Sequence, residues 1–143
     1  MKTKFERYPT RTEVKQDYRR LADKLGIEPP QVVWRDSHNN STHDTHINLS
    51  SPQYCQRHDP NDDYALTYWI TVYHEFSHWA IRAMGADDID HRVDMYVLLL
   101  GICMAEGMPL DKVIRAEKEY KPGAVSRAAR KIGHRILEGA YPY

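Results

Sequence analysis

Apolar side chains recur at intervals of three and four residues near the start of the chain: Val14, Tyr18, Leu21, Ala22 and Leu25. This spacing predicts an amphipathic helix. Thr10 or Thr12 is expected to cap its beginning, and Thr10 has Glu13 three residues on, which is the spacing of a capping box. Gly26 is expected to end the helix, and Pro29-Pro30 prevents its resumption.

Two short stretches that follow have the composition of strands. Gln31 to Arg35 (QVVWR) is rich in β-branched and aromatic residues, and Thr45 to Leu49 (THINL) alternates between polar and apolar positions. The polar residues 36–41 between them are typical of a turn. Residues 53–63 are polar and irregular, which predicts an exposed loop with at most a turn of helix.

The rest of the chain is predicted to be helical. A helix from Asp62 or Asp63 to about Gly85 is apolar nearly all round, and another, from Asp88 or Asp90 to about Ala105, contains the almost unbroken apolar run 93–104. Both are therefore expected to be buried. Two amphipathic helices follow, over Leu110–Tyr120 and Ser126–Leu137. The order predicts an α+β fold in one domain, residues 1–143, with a small antiparallel sheet and a helical majority.

The charges change this picture little. Lys and Arg balance Asp and Glu at 20 each, although basic residues gather in the first twenty positions and from Lys112 to Arg135. Ordinary solvated helix faces explain this pattern, and a surface for an acidic partner or a nucleic acid is the alternative. No apolar run approaches the length of a membrane span, and the start is too polar for a secretory signal. With only Cys55 and Cys103, free thiols and a cytoplasmic setting are expected.

The candidate chemistry lies in the middle of the first apolar helix. His74-Glu75-Phe76-Ser77-His78 is an HExxH sequence. Residues four apart on a helix leave from the same face, so both imidazoles are expected to bind one Zn²⁺ ion. Glu75 beside them is expected to act as general base on a zinc-bound water. Two structural histidines on a core helix, or a metal site without catalysis, are the alternatives.

A catalytic zinc usually has three protein ligands, so a third is expected from beyond the Gly85 turn. His91 and Asp94 are the candidates. His91 is a ligand by residue type, with Asp94 as its partner, whereas Asp94 is a candidate for direct ligation because it precedes a long apolar run and is expected to head into the interior. A solvated His91 without a metal is the alternative to both.

The other histidines are weaker candidates. His43 and His46 are three apart near the second predicted strand, where alternation would place them on opposite faces. They are therefore expected to be a poor chelating pair.

The sequence TVYHEFSHWAI resembles the active-site helix of zincin metallopeptidases. The order of a helix ending in LADKLGI, a strand, THINL, a polar loop and the HExxH helix is similar to the minimal zincin domain of the ImmA/IrrE family. Trp79 after the second histidine is similar to the zincin domain of ArdC-type antirestriction proteins. The resemblance spans about residues 10–105 in layout and implies His74 and His78 as ligands and Glu75 as base. It also implies that THINL lies along the cleft and pairs with the substrate backbone.

These families typically take their third ligand from a glutamate on the next helix, where this chain offers His91 or Asp94. A late histidine ligand is similar to SprT-like proteases, but the glycine that follows it there is Arg92 here. The sequence predicts a cytoplasmic zinc metallopeptidase acting on a protein or peptide, and the resemblance adds a phage or mobile-element origin. The alternative is a zincin-scaffold module that binds a protein or nucleic acid without cleaving it.

Overall fold

The computed structural model describes residues 3–85 and 93–138, with side chains as far as Ile132. The chain divides into two compact units, Met1–Ala86 and Asp87–Tyr143. The first unit contains a 3-10 helix, three helices and three strands: Lys4–Glu6, α1 Arg11–Leu25, β1 Gln31–Arg35, β2 Ser41–Thr42, β3 His46–Ser50, α2 Pro52–His58 and α3 Ala65–Ala83. The second unit contains α4 Val93–Ala105, α5 Leu110–Glu117 and α6 Pro122–Glu138. The predicted α+β class with a small sheet and a helical majority is confirmed.

The helix α1 begins and ends at the capping residues that the sequence predicted. The Thr10 hydroxyl accepts the backbone N–H of Glu13 at 3.1 Å, and the Glu13 carboxylate accepts the N–H of Thr10 at 3.1 Å. Gly26 ends the helix in the left-handed region, with φ 68°. A side chain with a Cβ is strained in this conformation, so glycine is the favoured residue.

Replacement of Thr10 by alanine is expected to lower the free energy of unfolding by about 1 kcal/mol, because the N–H of Glu13 loses its acceptor. Thr12→Ala is the matched control, since Thr12 is an exposed threonine inside the same helix. It is expected to change stability by less than about 0.5 kcal/mol. Urea denaturation followed by circular dichroism measures both values, and equal losses would contradict the capping assignment.

The sheet is mixed, whereas an antiparallel sheet was expected. Its order is β1-β3-β2, with β1 parallel to β3 and β2 antiparallel to β3. The short strand Ser41–Thr42 was not predicted, and its first residue is the last of the residues 36–41 that were expected to form a turn. Because β3 has a partner strand on each side, THINL is the central strand. The implied pairing of THINL with a substrate backbone is therefore wrong for this fold.

The core of the first unit forms where α3 packs on α1 and on the sheet. Trp69, Tyr73 and Phe76 of α3 are fully buried, and the Phe76 ring lies 5.3 Å from that of Tyr18 on α1. From the sheet, only the inward side chains of β3 are fully buried: Ile47 and Leu49. The helix α3 is therefore largely buried, as its nearly continuous apolar sequence predicted.

The beginning of α3 differs from its prediction at Asp62 or Asp63. The Asp59 carboxylate accepts the backbone N–H groups of Asp63 at 3.1 Å and Tyr64 at 2.7 Å. These bonds hold a turn before the helix, in which Asp62 has φ 61°. The first helical residue is therefore Ala65.

In the second unit, α4 is buried along its length and α5 and α6 pack against it. Residues 95–103 of α4 are all buried, so the prediction of a central helix is confirmed for this unit. The predicted start at Asp88 or Asp90 lies outside the described residues. α6 begins at Pro122 rather than Ser126, and proline is favoured in the first turn because its missing N–H would have no partner there. Among residues 3–85 and 93–138, no helix has the length and hydropathy needed to cross a membrane.

Candidate metal centre

Two histidines of α3 lie one turn apart on the same face of the helix. The Nε2 atoms of His74 and His78 are 3.1 Å apart, with the ring planes tilted by 60°. His78 is 7% exposed, whereas His74 is half-buried. The two imidazoles therefore lie on one face of the helix, as their spacing predicted, and His74 is the more exposed of the two.

The separation of the two nitrogens fits a shared zinc ion. Tetrahedral coordination with Zn–N bonds of 2.0–2.1 Å places two ligand nitrogens about 3.3 Å apart. The observed 3.1 Å is within a few tenths of an ångström of that value. His74 and His78 therefore need only a small side-chain adjustment to bind one ion.

Glu75 completes the group. Its side chain is only 6% exposed, and ligand atoms of His74, Glu75 and His78 all lie within 4.8 Å of one another. Among the residues that the structure describes, this is the one cluster of three His, Cys, Asp or Glu side chains with that property. A carboxylate at this position is close enough to exchange a proton with a molecule bound beside the two imidazoles.

A threonine from the edge of the sheet positions Glu75. The Thr42 hydroxyl lies 2.9 Å from the backbone oxygen of Glu75 and 3.4 Å from its Oε1. Arg82, two turns further along α3, donates to the backbone oxygen of Thr42 at 3.2 Å and lies 3.6 Å from the Asp44 carboxylate. The β2–β3 hairpin is thereby held against the histidine region of α3.

Tyr18 lies behind Glu75 in the core. Its hydroxyl donates to the backbone oxygen of Val72 at 2.6 Å. Burial, and to a lesser extent the negative charge of Glu75, raise the pKa of Tyr18 well above its usual value. The hydroxyl therefore keeps its proton and remains a hydrogen-bond donor from α1 to α3.

Of the two candidates for a third ligand, the structure describes only Asp94. His91 lies outside the described residues. Asp94 is in the first turn of α4 in the second unit, and its side chain is 77% exposed, with one oxygen 4.0 Å from Nζ of Lys131. The expectation that Asp94 heads into the interior is therefore wrong. The choice of His91 or Asp94 as third ligand stays a prediction.

The side chains of His43 and His46 lie together, whereas they were expected on opposite faces of a strand. Their rings stack, with centroids 4.7 Å apart and planes 19° apart. His43 precedes β3 in the hairpin turn, and its N–H donates to the backbone oxygen of His46 at 2.8 Å. Strand alternation therefore does not apply to this pair. Nε2 of His43 contacts the Ser41 hydroxyl at 2.9 Å and the Asn48 side chain at 3.1 Å.

Comparison of the chain with models of known protein families found no match. Comparisons with curated proteins and with solved structures also found none. The interpretation of the site therefore depends on the geometry and chemistry of its own residues.

Proposed function

We propose that the protein is a zinc-dependent metallopeptidase with a minimal zincin-like domain. The observation that carries the proposal is the pair of imidazole nitrogens 3.1 Å apart with the Glu75 carboxylate beside them. Two neutral nitrogen ligands, with a buried carboxylate beside them that can act as a base, are typical of a hydrolytic zinc site.

In this proposal His74 and His78 hold the ion, with His91 or Asp94 as the third ligand. Zinc, when bound, polarises a peptide carbonyl and acidifies a water molecule. Glu75 accepts the proton of the attacking water on its carboxylate and later donates it to the leaving nitrogen. Thr42 holds the backbone of Glu75 through its 2.9 Å hydrogen bond, and its hydroxyl lies 3.4 Å from Oε1 of the carboxylate.

We propose a protein or peptide in the cytoplasm as the substrate. Both cysteines are free thiols, Cys55 half-buried and Cys103 buried, which is the state that a reducing compartment maintains. A general base has no role in a site that only binds a partner, so the placement of Glu75 favours hydrolysis over a binding module.

Elemental analysis of the purified protein is expected to give about one zinc per chain. His78→Ala is expected to remove most of the zinc, because His74 is then the one remaining ligand on α3. His43→Ala is the matched control, since the His43 ring also lies against that of a neighbouring histidine, and it is expected to keep the zinc. Protein without metal after refolding with zinc, or equal loss in both variants, would contradict the proposal.

The third ligand is tested by His91→Ala and Asp94→Ala. The variant that lacks the true ligand is expected to bind zinc at least about tenfold more weakly, and the other is expected to match the wild type. A chelator competition titration measures both affinities. Unchanged affinity in both variants would exclude His91 and Asp94 as ligands.

A further inference from the structure

A cavity of about 330 Å³ opens in the first unit, on the N-terminal side of the histidine pair. Its walls come from the segment before α1, from the loop and strand residues around 38–50, from α2 and from α3. Nothing in the proposed reaction uses it.

The cavity lies on the same face of α3 as the two metal-binding histidines. Thr67 and Thr71 line the cavity, and Thr67, Thr71, His74 and His78 follow one another at intervals of four, three and four residues. Positions at these intervals form one stripe along a helix. At a rise of about 1.5 Å per residue, the Thr71 backbone is about 4.5 Å along the axis from His74 and that of Thr67 about 10 Å. An extended chain advances about 3.3 Å per residue, so the near edge of the cavity, at Thr71, lies within two substrate residues of His74.

The inner wall of the cavity carries a carboxylate. Asp59 lines it and is 8% exposed. Its Oδ2 atom accepts the Tyr8 hydroxyl and the N–H of Tyr64, both at 2.7 Å, and its Oδ1 atom accepts the N–H of Asp63 at 3.1 Å. Burial, followed by the hydrogen bond to Asp59 and the charges of Asp59 and Asp62, raises the pKa of Tyr8 far above its usual value. The charge of the Asp59 carboxylate makes the potential at this end of the cavity negative.

The outer part of the cavity is aromatic. His38, His58 and Tyr64 line it and are exposed, and the rings of His38 and His58 are 5.9 Å apart. Among the described residues that line the cavity there is no lysine or arginine. A carboxylate at the inner wall with rings at the entrance is complementary to a long cationic side chain, whose stem packs on the rings while its charge reaches the carboxylate.

We propose that this cavity, with Asp59 at its inner wall, binds an arginine or lysine side chain of the substrate within two residues of the bond that is cut. The assignment rests on the proposed peptidase function for its position relative to the scissile bond. Arginine is the preferred occupant, because its planar guanidinium group stacks on aromatic rings and is more weakly hydrated than the lysine ammonium group. The site thereby gives the peptidase a preference for basic sequences.

Binding is tested without catalysis by the reactivity of Cys55, which also lines the cavity. Burial raises the pKa of the Cys55 thiol. It raises the pKa of the fully buried Cys103 thiol well above its usual value. Cys55 is therefore expected to react faster than Cys103. The probe is a blocked pentapeptide with a central arginine, and its citrulline counterpart is the uncharged control. In the Glu75→Gln variant at about pH 8, where free histidine is neutral, the arginine peptide is expected to slow alkylation of Cys55 about tenfold more than the citrulline peptide.

Asp59→Asn is expected to remove the difference between the two peptides. Because Asp59 also holds the turn before α3, Tyr64→Ala provides a second variant that leaves this carboxylate in place. Tyr64 is 67% exposed, and its loss is expected to reduce protection by the arginine peptide about two- to fivefold. Tyr120→Ala is the matched control, because Tyr120 is 69% exposed and does not line the cavity. Equal protection by both peptides in the Glu75→Gln protein would overturn the proposal.

Cleavage mapping separates this proposal from the peptidase proposal. A mixture of denatured proteins is digested with the full-length protein, and the new termini are identified by mass spectrometry. Arginine or lysine is expected within two residues of most cuts, and Asp59→Asn is expected to lose that bias. Cuts without a basic bias would overturn the cavity assignment and leave the peptidase intact. Protection of Cys55 by the arginine peptide without any cuts would support the cavity and contradict the peptidase.

Discussion

Glu75→Gln is expected to keep the fold and the zinc and to lower the rate of peptide-bond cleavage by about 100- to 10,000-fold, the usual contribution of a general acid–base group. Glutamine has nearly the shape of glutamate and retains an oxygen that can accept the Thr42 hydroxyl. It cannot accept the proton of water at neutral pH. The substitution therefore removes the base and leaves the binding of metal and substrate in place.

Three measurements on this variant distinguish a lost base from a damaged site. Zinc content and the midpoint of thermal unfolding are expected to equal those of the wild type, since glutamine fills the same space as glutamate. The KM for a cleaved peptide is expected to change little while kcat falls, because Glu75 acts on the proton rather than on substrate binding. A variant that keeps full cleavage activity would exclude Glu75 as the base.

Thr42→Val is the companion substitution. It removes the hydroxyl that contacts the backbone oxygen and Oε1 of Glu75 and retains the shape of the side chain. A positioning role predicts a smaller fall in kcat, about tenfold, with a shift in the pH dependence of kcat as the surroundings of Glu75 change. A purely structural role would lower stability and leave the pH profile unchanged.

The parts of the site that follow from local spacing were predictable. His74 and His78 lie four residues apart on a helix whose apolar flanks require burial, so their convergence depends on helix geometry alone. The capping box at Thr10 and the left-handed Gly26 are local in the same sense. Each depends on residues within one turn, and the sequence contains all of them.

The parts that depend on long-range contacts were not predictable. Thr42 reaches Glu75 across 33 residues of sequence, and the two-residue strand that carries it is too short to show a period. The parallel pairing of β1 with β3 likewise has no local signature, because alternation indicates which side chains are inward and not the direction of the partner strand. The cavity next to α3 has the same origin, since its walls come from segments far apart in the chain.

Two predictions were wrong for reasons that lie in the immediately neighbouring residues. α2 was expected to be a loop because its residues are polar, yet Ser51 accepts the N–H of Tyr54 at 3.0 Å and Pro52 occupies the first helical position. Serine followed by proline is a start signal for a helix, and here it also ends the preceding strand. Asp94 was expected to be inward because an apolar run follows it, but neighbouring residues in the first turn of a helix point in different directions.

Trp69→Ala is expected to cause the largest loss of stability among single substitutions in the first unit, about 3–5 kcal/mol. The indole is 0% exposed, contacts the Phe5 ring edge-on at 5.5 Å and has the Lys4 ammonium 4.7 Å above it. Its Nε1–H donates to the backbone oxygen of Arg7 at 3.0 Å. Alanine therefore leaves a cavity and an unpaired carbonyl, and it releases the segment before α1 from α3.

Trp79→Ala is the matched control, because Trp79 lies on the same helix and also donates its Nε1–H to a backbone oxygen, that of Glu28, at 2.8 Å. Trp79 is half-buried, so its loss is expected to cost about 1–2 kcal/mol. Urea denaturation in the presence of a chelator, followed by circular dichroism, measures both without the contribution of bound metal. Equal losses in the two variants would contradict the assignment of Trp69 to the centre of the core.

Trp69→Ala also tests whether the core affects the candidate metal centre. Trp69 is five residues before His74, which places the two side chains on different faces of α3. Loss of zinc affinity in Trp69→Ala is therefore expected to follow the folded fraction alone, because the indole does not contact the histidines' face. Trp69→Phe, which refills most of the cavity, is expected to recover both stability and zinc binding together. Recovery of stability without zinc binding would show that Trp69 acts on the geometry of the histidine pair as well as on the core.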